Sequence, residues 1–296
     1  MICVVSHDAG GAEILSSYIR QQGLDCIYAL AGPALKVFQR KLGPIDLTLL
    51  PEAIQHTDWL LCGTSWQSDL EWQAIEMARS LGKRSVAFLD HWVNYPERFI
   101  RGGIQYLPDE IWVGDEDAKA LALKHFPNTP VQLVPNPYFI DIKREIAELE
   151  VGKPPRDGTG KRILFVCENI SEHARLQHGD ERYWGYTEFD AIEYFFEKIN
   201  ALGVPIATVV IRPHPSDPEG KYVRIVAEHS ELAKLSDGKP LMEEIVDSDI
   251  VVGCESMAMV IALQGGRRVI SCIPIKKASL ALPFKRIQIL SDLIAE

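Results

Sequence analysis

Short apolar runs alternate with amphipathic stretches along most of the 296-residue chain. Between the apolar runs of the first half, the spacing of apolar positions predicts helices that include residues 11–22, 69–80 and 116–125. This alternation predicts a parallel sheet with helices on both faces. The apolar runs that predict strands in this half are residues 2–5, 26–30, 47–50, 59–62, 85–89, 110–113 and 131–134.

The alternation stops at Pro135-Asn136-Pro137 and then resumes. Further strands are predicted at 162–166, 206–211, 250–252 and 268–272, and further helices at 188–201, 222–229, 241–246 and 256–264. We therefore expect an α/β protein with two Rossmann-like, doubly wound parallel-sheet domains that face a cleft. The expected boundaries are 1–138 for the N-terminal domain, 139–161 for a connecting helix and linker, and 162–296 for the C-terminal domain.

The composition limits the class of function. A net charge of −10 argues against a nucleic-acid binder, because such proteins need a basic face. Between Arg267 and Arg286 there are nevertheless six basic residues and no acidic one. That segment is either a solvated edge or a patch for an anionic acceptor or a peripheral membrane contact. The six scattered cysteines form no Cys-x-x-Cys pair, so we expect a reduced, cytoplasmic protein without a metal site or cofactor.

The first candidate site follows the apolar run 206–211. Arg212-Pro213-His214-Pro215 begins where that strand ends, at the sheet edge where open α/β folds bind ligands. Arg212 can bind a phosphate through two parallel hydrogen bonds, and His214 can donate another. A rigid surface turn is the alternative. In the same domain, Ser256 stands at the start of a helix, where free N–H groups favour a phosphate. The predicted nucleotide-binding residues are Arg212, His214, Pro215, Glu255, Ser256 and Met257.

Two loops of the first domain carry further candidates. Gly10 and Gly11 follow the first strand, and their missing side chains let the backbone approach a ligand closely. The segment from Asp90 to Arg98 combines carboxylates with aromatic rings, as carbohydrate and nucleotide sites do; a structural ion-pair and packing cluster is the alternative. In the second domain, Glu168 begins a long segment that is predicted to be irregular. This segment is either a lid or packed on its domain.

Together these motifs resemble the GT-B superfamily of sugar-nucleotide enzymes. Arg212-Pro213-His214-Pro215 resembles the His-Pro motif of bacterial sialyltransferases, polysialyltransferases and Kdo transferases, in which the histidine contacts the phosphate of a CMP-activated sugar acid. Glu255-Ser256 is similar to the serine motif that completes that phosphate site. The loop from His7 to Gly11 looks like the glycine loop near the reacting sugar. The chain departs from sialyltransferases in lacking an acidic pair followed by glycine, which supplies their base.

The resemblance implies a metal-independent, inverting glycosyltransferase of surface-polysaccharide or glycoconjugate synthesis. Its donor would be a nucleotide-activated sugar, and its acceptor a carbohydrate or glycolipid. Two alternatives stay open: a sugar-nucleotide 2-epimerase or hydrolase of the same fold, and a non-catalytic nucleotide-sugar-binding subunit. The predicted catalytic residues are Asp8, His7, Asp90 and Glu97. The predicted substrate-binding residues are Gly10, Gly11, His91, Trp92, Asn94, Arg98 and Glu168.

Overall fold

The chain folds into two compact units, Met1–Asp141 (unit 1) and Ile142–Glu296 (unit 2). The computed structural model describes residues 1–65, 68–153, 159–275 and 280–294. Part of the predicted linker, 154–158, therefore lies outside the described residues. Each unit contains a six-stranded sheet whose strands all pair in parallel. The predicted fold class, α/β with two Rossmann-like parallel-sheet units, is confirmed.

The sheet of unit 1 has the strand order β2-β1-β3-β4-β7-β8, with a small antiparallel pair, β5-β6, beside it. The strands are β1 (Ile2–Ser6), β2 (Cys26–Leu30), β3 (Trp59–Cys62), β4 (Arg84–Leu89), β5 (Ile100–Arg101), β6 (Ile104–Gln105), β7 (Glu110–Val113) and β8 (Val131–Leu133). The helices are α1 (Ala9–Gln22), α2 (Gly32–Leu42), α3 (Leu50–Gln55), α4 (Leu70–Ser80), α5 (Glu116–His125) and α6 (Pro137–Glu150), and α6 continues into unit 2. The order reverses between β1 and β3.

The sheet of unit 2 has the order β11-β10-β9-β12-β13-β14. Counted along the chain this is 3-2-1-4-5-6, the order of dinucleotide-binding domains, and it reverses between β9 and β12. The strands are β9 (Lys161–Val166), β10 (Ile206–Arg212), β11 (Ala233–Leu235), β12 (Ile250–Gly253), β13 (Arg268–Ser271) and β14 (Ile287–Ile289). The helices are α7 (Ile170–His178), α8 (Glu188–Lys198), α9 (Val223–Glu228), α10 (Leu241–Val246), α11 (Met257–Gln264) and α12 (Leu290–Ile294).

The central strands are buried on both faces, because helices cover both sides of each sheet. All residues of β1 and β12 are buried. In unit 2, Phe165 on β9 packs with Phe195 on α8, their ring centroids 5.4 Å apart. All six cysteines are free and five of them are buried, as the apolar runs around them predict. Among the helices in the described ranges, none is long and apolar enough to cross a membrane.

Two local predictions are wrong. Residues 47–50 do not form a strand: Leu47 makes one isolated bridge to Tyr28, and Leu50 begins α3. Pro51 in the first turn suits a helix start, and Leu49 is 77% exposed, so no sheet covers this apolar run. The stretch after Glu168 is not irregular throughout, since Ile170–His178 forms α7. One helical turn apart, Ile170 and Ala174 bury one face of α7.

Candidate functional site

A cavity of about 650 Å³ opens at the carboxyl edge of the sheet in unit 2. The loops that follow β9, β10, β12 and β13 form its walls, so it lies where the strand order reverses. His214, Glu255, Ser256, Met257 and Glu168, all predicted from the sequence, lie together in it. The complete lining is Glu168, Asn169, Ile170, His173, Trp184, Tyr186, His214, Glu255, Ser256, Met257, Ile273 and Ile275.

The loop that carries His214 is fixed by a buried carboxylate. Asp217 Oδ2 accepts hydrogen bonds from the backbone N–H of His214 (2.8 Å) and from the hydroxyl of Tyr222 (3.0 Å). The side chain of Asp217 is 0% exposed and also pairs with Lys221 at 2.6 Å. Pro215 belongs to the same short turn. Burial lowers the pKa of His214, so its ring is neutral at neutral pH.

Ser256 caps α11, as its position at the helix start predicts. Its backbone is extended, and its hydroxyl accepts from the backbone N–H of Ala258 at 3.2 Å. Met257 is the first residue of α11. Glu255 stands just before the cap, and its Oε1 accepts from the backbone N–H of Ala281 at 2.6 Å. Glu255 therefore joins the loop after β12 to the segment between β13 and β14.

Glu168 occupies backbone amides that a phosphate could otherwise use. Its Oε1 accepts from the N–H groups of Cys254 (2.8 Å) and Glu255 (2.9 Å), and so joins the loop after β9 to the loop after β12. Burial raises the pKa of Glu168 to about 7, although these two hydrogen bonds lower it. Because both amides come just before the cap Ser256, Glu168 holds the segment that leads into α11.

Arg212 is engaged outside the cavity lining. Its Nη1 donates to the carboxylate of Glu244 at 2.5 Å and to the carbonyl of Lys239 at 2.7 Å. Glu244 belongs to α10, is 5% exposed and also accepts from the hydroxyl of Ser236. Removing one partner of such a buried pair leaves an uncompensated charge. Arg212 therefore joins the end of β10 to α10, and nucleotide binding by Arg212 stays a prediction.

In unit 1, His7 and Asp8 lie at the end of β1, beside the second reversal of strand order. His7 Nδ1 is 2.7 Å from Asp8 Oδ1, and the backbone N–H of His7 donates to Glu71 Oε1 at 2.7 Å. Asp8 holds the cap position of α1 without a side-chain cap bond, so its half-buried carboxylate is not used up by the helix start. No sequence pattern points to Glu71, whose side chain is 2% exposed. Burial raises the pKa of Glu71 to about 7.

Gly10 and Gly11 lie at points of close packing. A Cβ at Gly10 would come within 2.2 Å of Asp90 Oδ2, and one at Gly11 within 3.3 Å of the Cα of Gly63. The loop after β1 therefore lies directly against the loops after β3 and β4. The packing accounts for both glycines, while contact of their backbone with a substrate stays a prediction.

The segment from Asp90 to Arg98 is a tightly bonded cluster. Arg98, 6% exposed, donates from Nη1 to Asp90 Oδ1 (2.8 Å) and to the hydroxyl of Thr64 (2.8 Å). Trp92 Nε1 donates to the carboxylate of Asp115 at 3.0 Å. These contacts match the structural alternative that the sequence left open for this loop. They leave the carboxylate of Asp90 less available as a base than that of Asp8.

The remaining predicted residues of this segment are more accessible or have local partners. His91 Nδ1 accepts from the backbone N–H of Trp92 at 3.0 Å, and burial lowers the pKa of His91. Asn94 is exposed and has a φ of 56°, the left-handed region that asparagine tolerates. Glu97 is exposed in the 3₁₀ turn Pro96–Phe99. Substrate binding or catalysis by these three residues stays a prediction.

Two arginines of the basic segment between Arg267 and Arg286 bond to other residues of unit 2. Arg267 pairs with Glu150, and Arg268 donates to the side chain of Gln288 at 2.7 Å. Lys285 and Arg286 are exposed, while Lys276 and Lys277 lie outside the described residues. Membrane contact through this segment stays a prediction. Within the described ranges, no group of three or more His, Cys, Asp and Glu side chains is placed to hold a metal ion.

No protein-family model matches the chain, and no curated protein matches it significantly. Solved structures do. The UDP-GlcNAc 2-epimerase from Methanocaldococcus jannaschii aligns with a TM-score of 0.64 at 12% identity, over 99% of this chain and 90% of that one. A UDP-N-acetylglucosamine 2-epimerase gives 0.59 at 12% identity, over 94% of this chain and 79% of that one. The glycotransferase of kitacinnamycin gives 0.55 at 14% identity, over 99% and 83%. The similarity shows the fold, which is that of GT-B proteins.

We predict that Glu71→Gln stabilises unit 1 increasingly as the pH rises. The pKa of Glu71 is about 7 in the fold and about 4.3 in an unfolded chain. As the pH rises, the unfolded chain thus loses this proton before the folded protein does. Between about pH 4.3 and about pH 7 the free energy of unfolding of the wild type therefore falls, whereas that of the glutamine variant does not. The gain should approach about 4 kcal/mol above pH 7. It is measured by chemical denaturation at pH 5 and pH 8.

The matched control is Glu76→Gln, which removes an exposed carboxylate from the same helix. That variant should change the free energy of unfolding equally at both pH values. If Glu71→Gln behaves like the control, the carboxylate of Glu71 is ionised in the fold without cost.

Proposed function

We propose that the protein is an inverting glycosyltransferase that moves a sugar from a nucleotide-activated donor to a hydroxyl of a carbohydrate or glycolipid. The observation that carries this proposal is the cavity of unit 2, which combines His214, the capped start of α11, the Glu255 carboxylate and an aromatic wall. Its position at the reversal of strand order is where such folds bind nucleotides. Its volume falls in the range of about 300–1,000 Å³ that is typical of small-molecule sites.

The chemistry of the walls suggests how a nucleotide sugar lies in unit 2. Trp184, Tyr186 and Ile273 form an apolar side on which a planar base or a sugar ring can stack. The lining also carries His214 and Glu255. A carboxylate accepts hydrogen bonds from ribose hydroxyls, while an N–H donor at His214 stabilises the charge that grows on the leaving phosphate.

Unit 1 supplies the base in this proposal. Asp8 takes the proton from the acceptor hydroxyl while that oxygen forms a bond to the anomeric carbon. At the same time the bond from the anomeric carbon to the phosphate oxygen breaks, and the nucleotide leaves with both bonding electrons. We favour Asp8 over Asp90 because Arg98 already neutralises Asp90 in a buried ion pair, with 2.8 Å between Nη1 and Oδ1.

Epimerisation or hydrolysis of a nucleotide sugar is the second candidate. It is favoured by Glu168, whose carboxyl lies in the cavity with a pKa of about 7 as a result of burial. A carboxyl with such a pKa can both take and return a proton near neutral pH. In an epimerase it would act at the carbon next to the anomeric centre.

The test combines binding with turnover. CMP, CDP, UDP and GDP are first screened by thermal shift, since a ligand that binds the folded protein raises its melting temperature. Sugar derivatives of the nucleotide that binds are then incubated with and without acceptors. Consumption that requires an acceptor supports glycosyl transfer, and conversion without one supports the epimerase or hydrolase. Binding without turnover indicates a non-catalytic subunit, and the absence of any binding contradicts all three.

We predict that His214→Ala weakens nucleotide binding without unfolding the protein. Losing a hydrogen bond to a charged phosphate costs about 1.5–3 kcal/mol, which corresponds to a Kd about 10 to 150 times higher. Calorimetric titration measures this change. His56→Ala, which removes an exposed histidine of unit 1, should leave the affinity unchanged. Wild-type affinity in His214→Ala would show that the turn has only a structural role.

We predict that Asp8→Asn lowers kcat by about 10²–10⁴-fold, the usual contribution of a positioned base. Nucleotide affinity should stay near the wild-type value, because the proposed nucleotide site belongs to unit 2. Asp90→Asn should mainly lower the melting temperature, since it leaves Arg98 buried without its partner. Normal turnover in Asp8→Asn with a folded but inactive Asp90→Asn would transfer the role to Asp90. Full activity in Asp8→Asn, Asp90→Asn and Glu97→Gln would remove the base from unit 1.

A further inference from the structure

The ring of His214 has a defined hydrogen-bonding direction. The backbone N–H of Ser216 points at His214 Nδ1 with 3.2 Å between the nitrogens. A backbone N–H can only donate, so Nδ1 must accept. In the neutral ring the proton is then on Nε2, the nitrogen that remains for a ligand in the cavity.

A chain of side chains favours the same direction. Ser216 Oγ lies 2.7 Å from His214 Nδ1 and accepts from Asn169 Nδ2 at 3.1 Å. Because this hydroxyl oxygen already accepts from Asn169, its own proton is free to point at Nδ1. The orientation of the serine hydroxyl thus depends on the end of the Asn169 amide that faces it.

Lys221 decides that orientation. Its ammonium group donates to Asn169 Oδ1 at 3.2 Å, and an ammonium group has no acceptor. The amide oxygen of Asn169 therefore faces Lys221, and the amide nitrogen faces Ser216. Lys221 itself is 11% exposed and is held by two buried carboxylates, Asp217 at 2.6 Å and Glu188.

We propose that Lys221, Asn169 and Ser216 are positioning residues, a hydrogen-bond relay that fixes the Nε2–H tautomer of His214 and keeps an N–H donor directed to the cavity. The tautomer is a property of unit 2 alone. Only the identity of the bound group, a phosphate oxygen of a nucleotide, rests on the proposed function.

The tautomer matters because the ring is neutral. Burial lowers the pKa of His214; Asp217 favours the charged ring, whereas His173 and Lys221 oppose it. A neutral histidine with its proton on Nδ1 would present a lone pair to a phosphate oxygen and repel it. With the proton on Nε2 the same ring donates a hydrogen bond. The backbone N–H of Ser216 and the relay thus together keep His214 a donor toward an anion.

The test is ¹⁵N NMR of the ring nitrogens in the ligand-free protein, with the His214 signals assigned by their absence in His214→Gln. The expected spectrum above the pKa of His214 shows a protonated Nε2 and an unprotonated Nδ1. A dominant Nδ1–H tautomer in the wild type would overturn the proposal. The tautomer itself is observed in the wild-type protein, and no nucleotide has to bind.

Asn169→Asp tests the relay itself. The new carboxylate accepts the proton of the Ser216 hydroxyl, whose oxygen then turns a lone pair toward His214 Nδ1. Both this reversal and the added negative charge favour the protonated ring, so its proton affinity should rise about tenfold. Asn200→Asp, on an exposed turn of the same unit, adds the same charge outside the relay and should have no such effect.

An equal change in both variants, or no change in Asn169→Asp, would contradict the relay. Ser216→Ala is the second variant: it removes the hydroxyl donor, so the Nδ1 signal should move toward that of a more weakly bonded acceptor. Nucleotide titration separates the two proposals. The predicted tautomer without nucleotide binding would refute only the proposed function, and nucleotide binding with the other tautomer only the relay.

Discussion

The reversal of strand order between β9 and β12 is the constraint on which the candidate site depends. The chain leaves these two neighbouring strands toward opposite sides of the sheet, so the loops that follow them separate and leave space between them. Glu168 and Asn169 follow β9, and Glu255 and Ser256 follow β12, so both pairs reach the same cavity. The hydrogen bonds from Cys254 and Glu255 to Glu168 keep the two loops at a fixed distance.

Buried carboxylates hold these loops in place by accepting hydrogen bonds from them, just as backbone hydrogen bonds hold neighbouring strands together. Burial raises the free energy of a charged carboxylate, and converging donors offset that cost. Burial also opposes ionisation of Glu188, but hydrogen bonds from Lys221 and Ser171 hold the pKa of Glu188 below its usual value. Glu71 and Glu168 receive fewer donors, and burial leaves their pKa values at about 7. The loops around His7 and His214 are thereby fixed before any ligand binds, as preorganised electrostatic stabilisation requires.

The sequence predicted the parts of the fold that are visible in local patterns. Strands such as β1, β3 and β12 are nearly continuous apolar runs because both faces of a parallel sheet are covered. The run 47–50 has the same composition but no sheet to cover it, and the short edge strand β14 has too few residues for a pattern. A local pattern reflects only the composition of a segment. Whether such a segment forms a strand depends on its tertiary neighbours.

The same limit applies to the site. His214 and Ser256 were identifiable because they follow apolar runs directly, and position at a strand end is a local property. Glu71 was not, since its partner His7 is 64 positions away. The position of Arg212 at a strand end indicates a phosphate ligand, but its bond to Glu244, 32 positions away, is not visible in the local pattern. Whether a charged residue binds a ligand or its own fold is decided by such distant partners. Glu168 combines both cases, because it lines the cavity and also accepts hydrogen bonds from the backbone amides of Cys254 and Glu255, just before the cap of α11.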